Sequence, residues 1–163
     1  MLREKYKLID HTADIGIEIF GDDLAGLFAN GGYALFDIIT DLSLVREKVL
    51  KNISISGRDL EEMMHNWLGE LLYVFDTEDF IAKKINIKSI ETSFNALTSG
   101  IDIPVQGMGS EKGEYGNLKA DIWGEKYDPN LHVINSAIKA VTYHKFEVVR
   151  EDNGWRCKVV LDV

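Results

Sequence analysis

The chain has 163 residues, of which 45% are apolar and 28% charged, and its formal net charge is −9. These proportions are typical of a globular protein and the length is that of one domain, so we predict a single domain over residues 1–163. An acidic surface repels the phosphates of nucleic acids, and we therefore expect no direct nucleic-acid binding as the main activity. An acidic protein can still dock on a basic enzyme.

The single cysteine, Cys157, excludes a disulfide within the chain, and its place in an apolar strand pattern indicates a small buried side chain. The N-terminal sequence lacks the apolar run of a signal peptide, and no stretch of about 20 apolar residues could span a membrane. We therefore expect a cytoplasmic protein without membrane contact.

The first part of the chain begins with a strand pattern followed by a helix pattern. Residues 15–19 alternate between apolar and other side chains, which predicts a half-buried strand. Apolar residues at helical spacing between 24 and 42 predict a helix, with Asp22 or Asp23 as its N-cap. Gly31 and Gly32 weaken this first helix, and we expect them to allow its close packing on a sheet.

A second strand and a second helix follow the first pair. Residues 49–55 predict the next strand, and Asp59 is the predicted N-cap of a broad apolar helix over 60–75.

The second half of the chain is predicted to consist mostly of strands, because the period of the apolar residues changes to two from Phe80 onward. The predicted strands are 83–88, 93–103, 118–122 and 133–143, with loops at 104–117 and 125–132. Near the end, Phe146–Val149 and Trp155–Val159 predict a hairpin with Asn153 and Gly154 in its turn.

This order of elements favours an α+β fold. We predict a single-domain sandwich in which two amphipathic helices pack on a mixed, largely antiparallel β-sheet.

Three polar residues, Asp10, His11 and Asp14, lie close together before the strand at 15–19. Two carboxylates and an imidazole can bind a metal ion or exchange protons. The structural alternative is that Asp10 and Asp14 are turn or cap residues.

A second polar group, Lys139 and His144, lies near the end of the predicted strand 133–143. Its members could dock a partner or support ligands, or they could be solvated residues without such a role.

The penultimate residue, Asp162, is a third candidate, because it adjoins the main-chain oxygens of Val163. If the last strand pairs near the turn at 10–14, then Asp14, Asp162 and Val163 could offer several oxygens to one cation. Oxygen ligands favour hard ions such as Ca²⁺ or Mg²⁺. The structural alternative is an exposed tail aspartate.

The sequence contains no phosphate-binding loop, nucleophile elbow or zinc-protease motif. It instead resembles the archease family in five stretches that follow one another in the family's order. These stretches are Asp10-His11-Thr12-Ala13-Asp14-Ile15-Gly16, Leu35-Phe36-Asp37, Trp67-Leu68-Gly69-Glu70-Leu71-Leu72-Tyr73, Ile138-Lys139-Ala140-Val141-Thr142-Tyr143-His144 and Val160-Leu161-Asp162-Val163. Their spacing covers nearly the whole chain.

The resemblance implies a small α+β sandwich that acts as a protein cofactor and is not itself an enzyme. Archeases assist the GTP-dependent RNA ligase that seals tRNA exons, and they promote its guanylylation and multiple turnover. The family binds a metal ion, usually described as calcium. The resemblance implies that its ligands here are Asp14, Asp162 and the main chain of Val163. Further residues that could support the function are Asp10, His11, Lys139 and His144.

Two positions depart from the family pattern, since Ala137 and His65 stand where the family often has acidic residues. Two other functions fit the same residues. One is a general chaperone or modulator of nucleic-acid-modifying enzymes such as methyltransferases, and the other is a stand-alone metal-dependent hydrolase.

Overall fold

The structure is a computed structural model that describes residues 3–9, 12–93 and 116–163. Its helices and strands within these ranges are β1 (Tyr6–Ile9), β2 (Ile15–Gly21), α1 (Leu24–Ile39), β3 (Val49–Gly57), α2 (Leu60–Glu78), β4 (Phe80–Thr92), β5 (Gly116–Lys126), β6 (Ala140–Glu151) and β7 (Gly154–Asp162). A short 3-10 turn, Leu42–Leu44, follows α1.

The strands form two antiparallel sheets, and the predicted α+β class is confirmed. One sheet has the order β1-β2-β7-β6 and the other has the order β3-β5-β4. Helix α1 packs on β2 and β4, while α2 packs on β3 and β6, so each helix contacts both sheets. The apolar residues of both sheets and both helices meet in one buried cluster.

Both helices begin at the predicted type of cap. The side chain of Asp23 accepts a hydrogen bond from the N–H of Gly26 at 2.6 Å, and Asp59 accepts one from Glu62 at 2.7 Å. These bonds satisfy N–H groups that have no partner within the helix. The caps therefore fix where each helix starts against the sheets.

The contact between the helices depends on the paired glycines of α1. A methyl group added to Gly32 would lie 2.5 Å from Cδ1 of Ile85 and 2.9 Å from Cδ1 of Leu71. The close approach also lets the buried indole N–H of Trp67 donate a 2.8 Å hydrogen bond to the carbonyl of Phe28. The glycines therefore pack α1 against α2 as well as against the sheets.

Side chains of α2 bond to backbone groups of an edge strand in each sheet. Asn66 donates to the carbonyl of Ser56 in β3 at 2.7 Å. The ring Nε2 of His65 lies 2.9 Å from the carbonyl of Val141 in β6, and this contact requires its proton on Nε2. Glu61 accepts a hydrogen bond from the N–H of Val148, also in β6, at 3.3 Å.

The prediction of a strand over 133–143 is wrong in its first part. Pairing of β6 begins at Ala140, and residues 133–139 contain only an isolated bridge between Ile134 and Thr40. The apolar residues alternate there because one side of an extended segment contacts the core. The segment does not pair with a neighbouring strand over most of its length.

Other boundaries also differ from the predictions. Strand β5 takes in Gly116 and Glu125, which were assigned to loops, and the hairpin turn contains Asp152 and Asn153, because Glu151 pairs with Gly154. The predicted strand 93–103 and most of the loop 104–117 lie outside the described residues.

Candidate functional site

The candidate site begins where β2 and β7 end beside each other. Ile15 pairs with Leu161 in an antiparallel register. Extending this register by one residue places Asp14 across from Asp162. Two acidic residues at opposite ends of the sequence are thus brought to the same end of one sheet.

Asp14 follows a tight turn in the backbone. Its N–H donates to the carbonyl of Thr12 at 2.9 Å, and the intervening Ala13 has a φ of 74°. This is a γ-turn with positive φ, a rare conformation that is strained for a residue with a Cβ atom. The strain indicates that the surrounding contacts hold Asp14 in its position.

The third strand at this end is β6. Lys139, a candidate functional residue, immediately precedes it. Ala140 pairs with Asp162, and the N–H of Lys139 donates to the carbonyl of Asp162 at 2.7 Å. Below the polar residues, Leu161 and Ile138 are buried. The acidic residues therefore lie at the rim of the core, with their backbones fixed by hydrogen bonds and packing.

The donors assembled here are oxygens. Asp14 and Asp162 are half-buried and Val163 is 37% exposed, so all three residues reach the surface of the protein. Carboxylate and main-chain oxygens suit a hard cation, and the donor types fit Ca²⁺ or Mg²⁺. Within the described ranges, no group of three His, Cys, Asp or Glu side chains is arranged to hold a metal ion. Asp10 and His11 lie outside those ranges.

The other predicted residue, His144, lies in a bulge of β6. Thr142 pairs with Val160, but the next pair along the strand is Glu147 with Lys158, so several residues of β6 bulge out. His144 is exposed, and its N–H donates to the hydroxyl of Thr142 at 3.3 Å. It therefore lies on the edge strand, between the two segments of β6 that pair with β7.

The same bulge connects to one of the positions that depart from the family pattern. The ring of Tyr143 stacks on His65 of α2, with centroids 3.8 Å apart and planes at 6°. Together with its contact to Val141, this stack gives His65 a structural role, which an acidic side chain could not reproduce. The sequence did not predict the contact between His65 and Tyr143, because these residues lie in different elements that are far apart in the chain.

A buried ionic network was not predicted from the sequence. Glu125 receives hydrogen bonds from Arg46 at 2.9 Å and from Nε2 of His132 at 2.8 Å. The N–H of Asp128 donates to Nδ1 of His132, so this histidine carries its proton on Nε2. Burial alone would raise the pKa of Glu125, but the bonds from Arg46 and His132 outweigh it and lower that pKa. The network fixes the chain after β5, and no local sequence signal marks it.

A second unpredicted contact involves Asp37, a residue for which the sequence indicates no role. The hydroxyl of Tyr6 donates to Oδ2 of Asp37 at 2.6 Å and joins β1 to α1. Burial and this carboxylate raise the pKa of the Tyr6 hydroxyl. The contact stabilises the strand that leads into the candidate site.

The fold and the site define a small two-sheet α+β protein with an acidic site at converging strand ends. The profile of the Archease protein family matches residues 6–163. A protein named archease from Archaeoglobus fulgidus is 35% identical over 98% of this chain and 99% of its own length. One from Methanosarcina acetivorans is 32% identical over 98% and 97%.

A solved structure shows the same architecture. The solution structure of Methanobacterium thermoautotrophicum protein 1598 matches with a TM-score of 0.72 and 27% identity, over 98% of this chain and 99% of that chain. The chain belongs to the archease family. Membership in this family supports the role of an accessory protein in RNA processing, which associates with an RNA-processing enzyme.

Among the described residues, no helix combines the length and the apolar character that crossing a membrane needs.

Proposed function

We propose that this protein activates the GTP-dependent RNA ligase of tRNA splicing in the cytoplasm by promoting guanylylation of that ligase and so its multiple turnover. The observation that supports this proposal is the antiparallel register that brings Asp14 beside Asp162 in a chain of the archease family.

The proposed site holds one divalent cation, calcium or another hard ion such as magnesium. Asp14 and Asp162 would bind it through their carboxylates, and Val163 through main-chain oxygen. When bound, the ion would supply a fixed positive charge at an otherwise acidic rim. Asp10, His11, Lys139 and His144 are proposed as residues that support this function.

The chain's own contribution is to present these groups rigidly. The γ-turn at Ala13 and the hydrogen bond from Lys139 to Asp162 fix the backbone of both ligands. With a net charge of −9, the protein is attracted to a basic enzyme surface. The docked acidic rim would then reposition polar groups of the ligase while guanylate is transferred.

A single-turnover guanylylation assay with purified ligase tests the function. We expect Asp14→Asn and Asp162→Asn to slow ligase guanylylation by about tenfold or more, since each removes a charged ligand. Asp22→Asn is the matched control, because Asp22 is exposed and lies at the opposite end of β2. Folded variants that assist as well as the wild type would remove these residues from the proposal. A wild-type protein that does not accelerate guanylylation would refute the function itself.

The metal site is tested by thermal unfolding with and without Ca²⁺. A ligand that binds only the folded state stabilises it by about 2.7 kcal/mol at a concentration of 100 times its dissociation constant. We expect Ca²⁺ to raise the unfolding temperature of the wild type but not that of Asp14→Asn. Equal shifts for both proteins would place the ion elsewhere.

A further inference from the structure

A cleft separate from the acidic rim lies between β1, α1, the segment after α1 and the start of β4. Its volume is about 460 Å³, and its apolar floor includes Leu42 and Ile85. Three lysines line it, Lys5, Lys83 and Lys84. A concentration of positive charge in one cleft is unusual in a protein whose net charge is −9.

A β-bulge explains how two consecutive lysines reach the same cleft. In a regular strand, neighbouring side chains point to opposite faces. In β4 the pairing to β5 shifts between Ala82 and Lys84, so Lys83 is an extra residue without a partner in the register. Bulges of this kind turn a side chain toward a new direction and occur often beside binding sites. Here the bulge lets Lys83 and Lys84 both line the cleft.

The third lysine comes from the other wall. The Nζ atom of Lys5 lies 3.9 Å from the ring centroid of Tyr33, which also lines the cleft. Lys84 differs, since its Nζ lies 4.9 Å from the ring of Trp123, which does not line the cleft. The ring of Tyr33 holds the Lys5 ammonium by cation–π attraction and leaves its N–H donors available to an anion.

The acidic residues near the cleft offset its positive charge only in part. Glu47 also lines it, and Asp41 at its edge accepts hydrogen bonds from Ser43 and attracts Lys83 electrostatically. No described carboxylate lies within ion-pairing distance of any of the three lysines, whereas Lys88, further along the same strand, pairs with Asp121 at 3.9 Å. The lining thus keeps an excess of positive charge.

From this geometry we propose that the cleft binds a small ligand that carries a phosphate group. Lysine ammonium groups bind phosphate as point charges, and the volume suits a small molecule. The phosphate group would lie between Lys83 and Lys5, while the remainder of the ligand would contact Tyr33 and the apolar floor. This site is independent of the proposed metal ion and of the ligase.

Titration of the isotope-labelled full chain, followed by amide NMR signals at constant ionic strength, tests the proposal. The probes are inorganic phosphate and, separately, adenosine monophosphate. We expect saturable shifts at Tyr33, Ser43 and Lys84 with a dissociation constant below about 1 mM for at least one probe. Tighter binding of the nucleotide would identify a phosphate ester as the ligand class, and equal binding would identify free phosphate.

Two variants make the result specific. The double change Lys5→Gln and Lys83→Gln should weaken binding on the order of tenfold or more, because it removes two charged donors. Lys88→Gln, which alters a lysine of the same strand outside the cleft, should leave binding unchanged. Absence of saturation by about 10 mM for both probes would overturn the proposal. So would equal weakening by the Lys88 variant, since it would indicate only nonspecific charge attraction.

Discussion

At the residue scale, Ala13 is the position where the backbone conformation conflicts most clearly with the side chain. A Cβ atom at positive φ costs about 1–2 kcal/mol, whereas glycine adopts this region freely but loses roughly 0.5–1 kcal/mol through its greater entropy when unfolded. We therefore expect Ala13→Gly to be neutral or to raise the free energy of unfolding by up to about 1 kcal/mol, measured by urea denaturation.

The control for this change is Ala29→Gly in the middle of α1. There the same substitution should lower stability by about 1 kcal/mol, because glycine is unfavourable within a helix. If both variants lose stability equally, Ala13 does not occupy a strained turn in the folded protein.

Tyr6 gives a prediction of pH dependence at the same scale. Its pKa is raised in the folded state from the usual 10.0 by burial and by Asp37. The folded protein therefore keeps this proton where the unfolded chain loses it, so the stability that Tyr6 contributes is complete below pH 10.0 and is lost as the pH rises above it. Tyr6→Phe should reduce stability near neutral pH by about 1 kcal/mol.

Above pH 10.0, the free energy of unfolding should fall more steeply for the wild type than for Tyr6→Phe. Tyr33 and Cys157, whose pKa values burial also raises, are present in both proteins. Their contributions cancel in the comparison. Parallel curves from neutral to alkaline pH would show that the Tyr6 hydroxyl keeps its proton no more tightly when folded.

At the element scale, two glycines that look alike in the sequence have opposite roles. Gly32 of α1 has no space for a methyl group, whereas around Gly69 of α2 no atom lies within 4 Å of an added Cβ. Gly32→Ala should lower the free energy of unfolding by about 1–3 kcal/mol, since overpacking outweighs the gain in helix propensity. Gly69→Ala should raise it by up to about 1 kcal/mol.

Thermal or urea unfolding of the two variants measures this difference. A stabilised Gly32→Ala protein would contradict the close contact between α1 and α2, while the Gly69 variant shows what the same change does where there is space.

The elements that the sequence predicted best are those with a strong local pattern. The caps Asp23 and Asp59 and the apolar faces behind them follow from hydrogen bonding and periodicity within a few residues. The segment 133–139 was misassigned because alternation records which side is buried, and does not record whether a neighbouring strand is present. Local patterns also could not show that the strands form two sheets and not a single sheet.

The candidate site was predictable only in part for the same reason. Asp14 and Asp162 were chosen from the residues and the family resemblance, but their proximity depends on the register between β2 and β7, which lie far apart in the sequence. The network of Glu125 with His132 and Arg46 joins side chains that have no shared local pattern. Long-range pairing therefore supplied what sequence patterns could not.

At the scale of the whole molecule, both sheets share one core through the two helices. Trp155 lies in the four-stranded sheet, Trp123 in the three-stranded sheet and Trp67 between them in α2. If this core makes residues 1–163 one cooperative unit, urea unfolding should give the same midpoint by tryptophan fluorescence and by far-ultraviolet circular dichroism.

Single replacements locate any difference between the sheets. Trp123→Phe removes the reporter of the three-stranded sheet and Trp155→Phe that of the other, and the fluorescence and dichroism midpoints should coincide within each variant. Separate midpoints would mean that the sheets unfold independently, contrary to the predicted single domain.

The side chains that α2 extends to the strand edges have a consequence for contacts between molecules. Unpaired edges can recruit strands from other chains and so start aggregation. Here the carbonyls of Ser56 and Val141 and the N–H of Val148, all in edge strands, are already bonded to Asn66, His65 and Glu61. An incoming strand would compete with these bonds for the same backbone groups, so one helix weakens strand addition at an edge of each sheet.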